Sequence, residues 1–144
     1  MFGLDTNVLV RYLLRDDPVQ AEQAKSAIEA AVLGGAPVII SLLTILETEW
    51  VLRSVAKLKK QEVITTFRML LEVRDVKIEQ EEILEEALYF YEKHNADFAD
   101  CLMTSRYRNL GCTAMLTFDN GASKLPGNLK LPAEFNSVLR LFKK

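Results

Sequence analysis

The chain has 144 residues, of which 49% are hydrophobic and 26% charged, with a formal charge of −2 at neutral pH. Such a length suits one domain, residues 1–144, that can bury a core, and the composition is that of an ordinary soluble protein. The charge balance excludes a globally basic nucleic-acid binder, though not a local basic surface, and no apolar stretch approaches the roughly 20 residues that cross a bilayer. The opening residues lack a signal-peptide pattern, with Asp5 where a basic leader would stand, so a cytoplasmic protein without a membrane anchor is expected. Cys101 and Cys112 lie in apolar runs without metal-binding spacing and read as reduced core thiols.

Met1–Asp5 reads as a short buried strand, followed by a helix from about Thr6 to Arg15. Asp16-Asp17-Pro18 stops that helix and starts another over Val19–Leu33, which ends at Gly34-Gly35. Pro37–Ile40 predicts a second strand, and Ser41 an N-cap for a helix through Ala56. A helix over Gln61–Arg74, a strand over Asp75–Glu79 and a helix over Glu81–Lys93 follow. Asp97–Leu110 is helical and closed by Gly111; Cys112–Phe118 is a fourth strand, and Leu129–Leu131 a fifth. This alternation predicts an α/β fold with a mostly parallel sheet of four to five strands.

Functional groups of such sheets collect beyond the carboxyl ends of the strands. Asp5 and Asp119 end strand-like runs, and each could equally cap a turn or a helix. Glu47 lies on a helix with Leu43, Trp50 and Val51 one turn away and no countercharge. Glu49 points roughly 200° from it, at about 100° per residue, and has Arg53 at i+4 as an ordinary partner. Asp97 and Asp100 share a face at a helix start; Asp97 is placed to cap it, whereas Asp100 is surrounded by Phe98, Ala99, Cys101, Leu102 and Met103. Two carboxylates about 4 Å apart repel by about 4 kcal/mol at an effective dielectric near 20, so their convergence demands a proton or a cation.

The residues that are missing narrow the chemistry. A single histidine, His94, rules out a paired-histidine mechanism and reads as a helix-end or surface residue. No His/Cys zinc pattern and no glycine-rich phosphate loop occurs. All-oxygen ligands favour Mg²⁺ or Mn²⁺, ions that activate water and stabilise the leaving oxygen of a phosphodiester.

The segments LDTNVLVRYLLRDDP, SLLTILETEWVL, ADFADCLM and LTFDNGASKL, taken in order, resemble the successive motifs of PIN-domain ribonucleases, and within them the VapC-type toxins of toxin–antitoxin pairs. The resemblance covers nearly the whole chain. It implies a three-layer α/β/α fold and a Mg²⁺- or Mn²⁺-dependent endoribonuclease, with Asp5, Glu47, Asp100 and Asp119 as catalytic acids and Asp97 as an additional metal ligand. Thr6, Asn7 and Thr117 would orient carboxylates or water. It further implies an RNA substrate, a cognate antitoxin that blocks the acidic site, and a homodimer.

Two other readings compete with a nuclease. A receiver-like magnesium-binding phosphoacceptor domain would need an acceptor Asp after a central strand and a late Lys, and neither stands convincingly in place. A catalytically silent PIN-like interaction module is disfavoured by the presence of all four acids. The basic segments Arg53, Lys57, Lys59, Lys60 and Arg106, Arg108 read as solvated helix charges by default. Phe2, Trp50, Phe98, Tyr107 and Phe118 are expected to fill the core rather than stack bases.

Overall fold

Helices alternate with parallel strands along the chain in a computed structural model that describes residues 1–142. The elements fall into two compact units, Met1–Glu81 and the chain from Glu82 onward. The first unit contains β1 (Phe2–Gly3), α1 (Thr6–Leu14), α2 (Pro18–Leu33), β2 (Val38–Ile40), α3 (Leu42–Ser54), α4 (Lys60–Leu71) and β3 (Val76–Ile78). The second is built from α5 (Glu81–Lys93), α6 (Phe98–Asn109), β4 (Leu116–Thr117), α7 (Asn120–Ser123), β5 (Leu129–Lys130) and α8 (Ala133–Phe142).

In the first unit the strands pair in the order β1-β2-β3, all parallel, with Phe2 opposite Val38, Val38 opposite Val76, and Ile40 opposite Ile78. Val38 and Ile40 are buried, as are Leu9, Ile45, Leu52, Val63, Ile64, Phe67 and Leu70 from the helices. The break between α1 and α2 has a defined chemistry. Arg15 ends α1 in the left-handed region (φ 56°), and Asp17 caps α2 by accepting from the Gln20 amide at 3.0 Å, with Pro18 in the first turn. The Arg11 guanidinium bridges the corner, donating to the Asp16 carboxylate at 3.1 Å and to Gln20 Oε1 at 2.7 Å. α4 stops three residues before the expected Arg74, because the Glu72 and Val73 amides close tighter turns onto Met69 and Leu70.

In the second unit β4 and β5 pair in parallel, Leu116 opposite Leu129 and Thr117 opposite Lys130. Ile83, Leu84, Leu88, Phe98, Cys101, Leu102, Ala122 and Leu125 are buried. β4 is much shorter than the Cys112–Phe118 run predicts, since β5 offers a ladder partner at only two positions. Three expectations about burial change. The opening strand, expected to be buried, is exposed at both Phe2 and Gly3, since β1 pairs on one side only, with β2. Cys101 is buried, but Cys112 is exposed. Of the five aromatics only Phe98 is core; Phe2, Trp50, Tyr107 and Phe118 are exposed, Phe118 by 78%. Apolar character draws side chains inward but does not guarantee a place there, because folded proteins keep much apolar surface outside. Among the described residues no helix is long and apolar enough to cross a membrane.

Phe67 is fully buried in α4. Phe67→Ala is expected to cost about 3–5 kcal/mol through lost transfer energy and the cavity left behind. Urea unfolding would check this, and a loss below about 1 kcal/mol would contradict the packing described.

Candidate functional site

The carboxyl ends of β1, β2 and β3 are joined by side chains from the start of α3 and the end of β3. Asp5 follows β1 and caps α1, its carboxylate accepting from the Thr6 amide at 2.7 Å. Ser41 follows β2 and caps α3 as expected, accepting from the Thr44 amide at 3.1 Å. Thr44 Oγ1 reaches the carbonyl of Leu4 at 3.4 Å, tying the first turn of α3 to the residue just before Asp5. Glu79, just after β3, accepts from the Leu42 amide at 3.0 Å and so satisfies a second free donor of the same helix end. Glu47 lies one turn beyond Thr44 and is exposed. Glu49 is buried and bound to Arg53 at 2.9 Å, the structural partnership that its spacing predicts. Thr6 is buried, while Asn7 is exposed and lines a groove of about 290 Å³ with Val8, Arg11, Gln20 and Gln23.

The second unit gathers the remaining acids. Asp97 occupies the N-cap position of α6, yet its carboxylate makes no capping hydrogen bond. Capping therefore does not account for this side chain, contrary to the simplest reading of its position. Asp100 lies in the first turn of α6 and is half-buried. Asp119 follows β4 and caps α7, accepting from the Ala122 amide at 2.8 Å, while its own amide donates to Thr117 Oγ1 at 3.0 Å. Burial, then the negative charge of Asp119, then that of Asp97 push the Asp100 carboxyl above its ordinary pKa. These three acids thus share one region of negative potential. Asp5 and Glu47 belong to the first unit.

The donor set is oxygen throughout, which suits a hard divalent ion. Among the described residues, however, no three His, Cys, Asp or Glu side chains form a group that could hold a metal ion. Asp97, Asp100 and Asp119 are close enough to interact through their charges but do not make a closed cage. Such an arrangement would suit only a hard ion that keeps much of its water and takes one or two carboxylates from the protein. Two of the basic residues are engaged elsewhere: Arg53 with Glu49, and Arg108 with Glu86 at 3.2 Å and over the Phe90 ring.

Three contributors carry no acidic signature in the sequence. Thr104, one turn after Asp100, donates to the Asp100 carbonyl at 2.7 Å. Asn128 binds Thr104 across 24 residues of chain. Gly121 brings α7 so close to the loop before α6 that a Cβ there would lie 2.7 Å from the Asn95 carbonyl oxygen. Only the i+4 spacing of Thr104 hints at its bond.

Gly121→Ala is expected to destabilise by about 1–3 kcal/mol, since the obstructing atom is backbone; an unchanged denaturation midpoint would contradict the close approach. The charge grouping has its own signature. Folded protein holds the Asp100 proton more tightly than the unfolded chain does, so stability falls as pH rises from the ordinary carboxylate value through the raised one. In chelator near neutral pH, Asp100→Asn is therefore expected to raise the melting temperature, the gain shrinking toward about pH 4. A lower melting temperature for the variant near neutrality would count against the repulsion.

A family model described as the PIN domain matches residues 3–128. No curated protein matches the chain. Among solved structures, a toxin–antitoxin complex from Klebsiella pneumoniae is similar at 20% identity, covering 90% of this chain and 96% of that one, with a TM-score of 0.35. The Mycobacterium tuberculosis VapC20 toxin, described as cleaving the sarcin–ricin loop, is similar at 16% identity, covering 88% and 96%, with a TM-score of 0.38. Both scores are low, and family membership rests on the match that spans most of the sequence: the chain belongs to the PIN-domain family.

Proposed function

We propose that this chain is a metal-dependent endoribonuclease, a single nuclease domain over residues 1–144, and the toxin of a toxin–antitoxin pair. Membership of the PIN-domain family supports the nuclease reading, and the four ordered motifs around Asp5, Glu47, Asp100 and Asp119 support the toxin reading. The observation that carries the chemistry is the grouping of Asp97, Asp100 and Asp119: burial, then the charges of Asp119 and Asp97, oppose ionisation of Asp100, a cost that a nearby cation would relieve. On this reading Asp5, Glu47, Asp97, Asp100 and Asp119 hold one or two Mg²⁺ or Mn²⁺ ions directly or through water.

A bound divalent ion supplies Lewis-acid polarisation of the phosphodiester and activates water for its hydrolysis. The chain's own contribution is to keep the carboxylates oriented. The Thr6 amide holds the Asp5 carboxylate, the Ala122 amide holds that of Asp119 while the Thr117 hydroxyl accepts from the Asp119 backbone amide, and the first turn of α6 carries Asp100. The half-buried setting of Asp100 strengthens its interaction with any cation, because solvent screens it less. The proposed protein works in the cytoplasm as a homodimer, restrained by its cognate antitoxin.

The test is cleavage of single-stranded RNA with Mg²⁺ or Mn²⁺ by the native chain, Asp5→Asn and Asp100→Asn. Both variants are expected to fold and to lose cleavage to background, and excess chelator to abolish native activity. Full activity in either variant, or cleavage undiminished by chelator, would overturn the assignment. A native chain that binds a partner but never cleaves RNA would instead favour the silent interaction module.

A further inference from the structure

We propose that Asn128 is a positioning residue for the acidic centre, its side-chain amide holding α6 and α7 at the separation that sets Asp100 against Asp119. The inference rests on the metal-dependent reading above and extends it to residues that carry no charge. Asn128 is buried, and its Nδ2 donates twice, to Thr104 Oγ1 at 2.8 Å and to the Ala122 carbonyl at 2.9 Å. Thr104, also buried, donates its own hydroxyl hydrogen bond to the Asp100 carbonyl at 2.7 Å. On the other side, the Ala122 amide donates to the Asp119 carboxylate at 2.8 Å. A bridge of neighbouring hydrogen bonds therefore runs from the Asp100 backbone to the Asp119 side chain, and Asn128 is the link in it that joins the two helices.

The chemistry of this link is specific to the residue types. A primary amide nitrogen carries two protons, and both are engaged here, one on each helix. An ionised aspartate would have none to offer, and a leucine would leave the Thr104 oxygen without its donor. The Thr104 hydroxyl acts at once as acceptor and donor, a role that valine matches in shape but not in bonding. Two carboxylates that repel each other do not hold their own spacing, so an uncharged tie behind them has a physical task. Groups that orient ligands in this way typically alter metal affinity about 10–100-fold when removed, without touching the ion.

The experiment titrates Mn²⁺ into the full chain, following free Mn²⁺ by electron paramagnetic resonance, with thermal melts on the same samples. Native protein is compared with Asn128→Leu, Thr104→Val, Thr104→Ser and Asp100→Asn, each below its melting range. Asn128→Leu is expected to weaken Mn²⁺ binding about tenfold or more and Thr104→Val by less, while Thr104→Ser, which keeps the hydroxyl, binds as the native chain does. Native affinity in both Asn128→Leu and Thr104→Val, whatever their melting temperatures, would overturn the positioning role. So would Thr104→Ser as weak as Thr104→Val. If Asn128→Leu fails to fold, the Thr104 pair decides alone. Loss of binding in Asp100→Asn but not in the Asn128 and Thr104 variants would remove the positioning role and leave the metal reading intact. A native chain that binds no Mn²⁺ would overturn both.

Discussion

Asp100 carries the constraint on which the candidate site depends: burial first, and then the charges of Asp119 and Asp97, oppose the ionised form of its carboxyl. Left to itself a short acidic loop would relax into water and part its charges. Here Asp100 and Asp119 are each fixed by something other than charge. Asp100 rides on α6, whose Phe98, Cys101 and Leu102 are anchored in the core. Asp119 is bound into the start of α7, and Gly121 permits that short helix to lie almost against the backbone before α6. The apolar packing and the hydrogen bonds thus oppose the electrostatic strain, and folding energy is converted into a preformed demand for positive charge.

A similar logic governs the first unit, with different chemistry. Asp5 caps α1 and Glu47 sits on α3, whose first turn meets the ends of the strands through Ser41, Thr44 and Glu79. Helix starts leave backbone donors unsatisfied, and neighbouring side chains satisfy them here. In both units, the bonds that complete a helix end also hold a candidate acid in place. Local folding and site geometry are therefore coupled at the level of single hydrogen bonds.

How much of this could be read from the sequence depends on the range of the interaction. The α1–α2 break was legible because Asp17 and Pro18 act within one turn of where they stand, and the Ser41 cap for the same reason. Glu49 and Arg53 were legible as an i, i+4 pair. The length of β4 was not, because an apolar run says nothing about how many ladder partners another strand will supply. Nor was the exposure of Phe118, which depends on what packs over it. The acids themselves stood out by their apolar surroundings, but the Asn128 amide did not: an asparagine between Gly127 and Leu129 reads as a turn residue, and its partners are distant in the chain.

Asp5 and Asp119 each perform two duties, closing a helix and contributing negative charge. This makes alanine a poor probe of either position. Truncation would remove the cap and the charge together, and a dead variant would say nothing about which had been lost. Asparagine retains an oxygen acceptor and caps helices about as well as aspartate, while discarding the charge. For this chain, systematic alanine scanning would blur architecture into chemistry, and only shape-preserving amide exchanges keep the two apart.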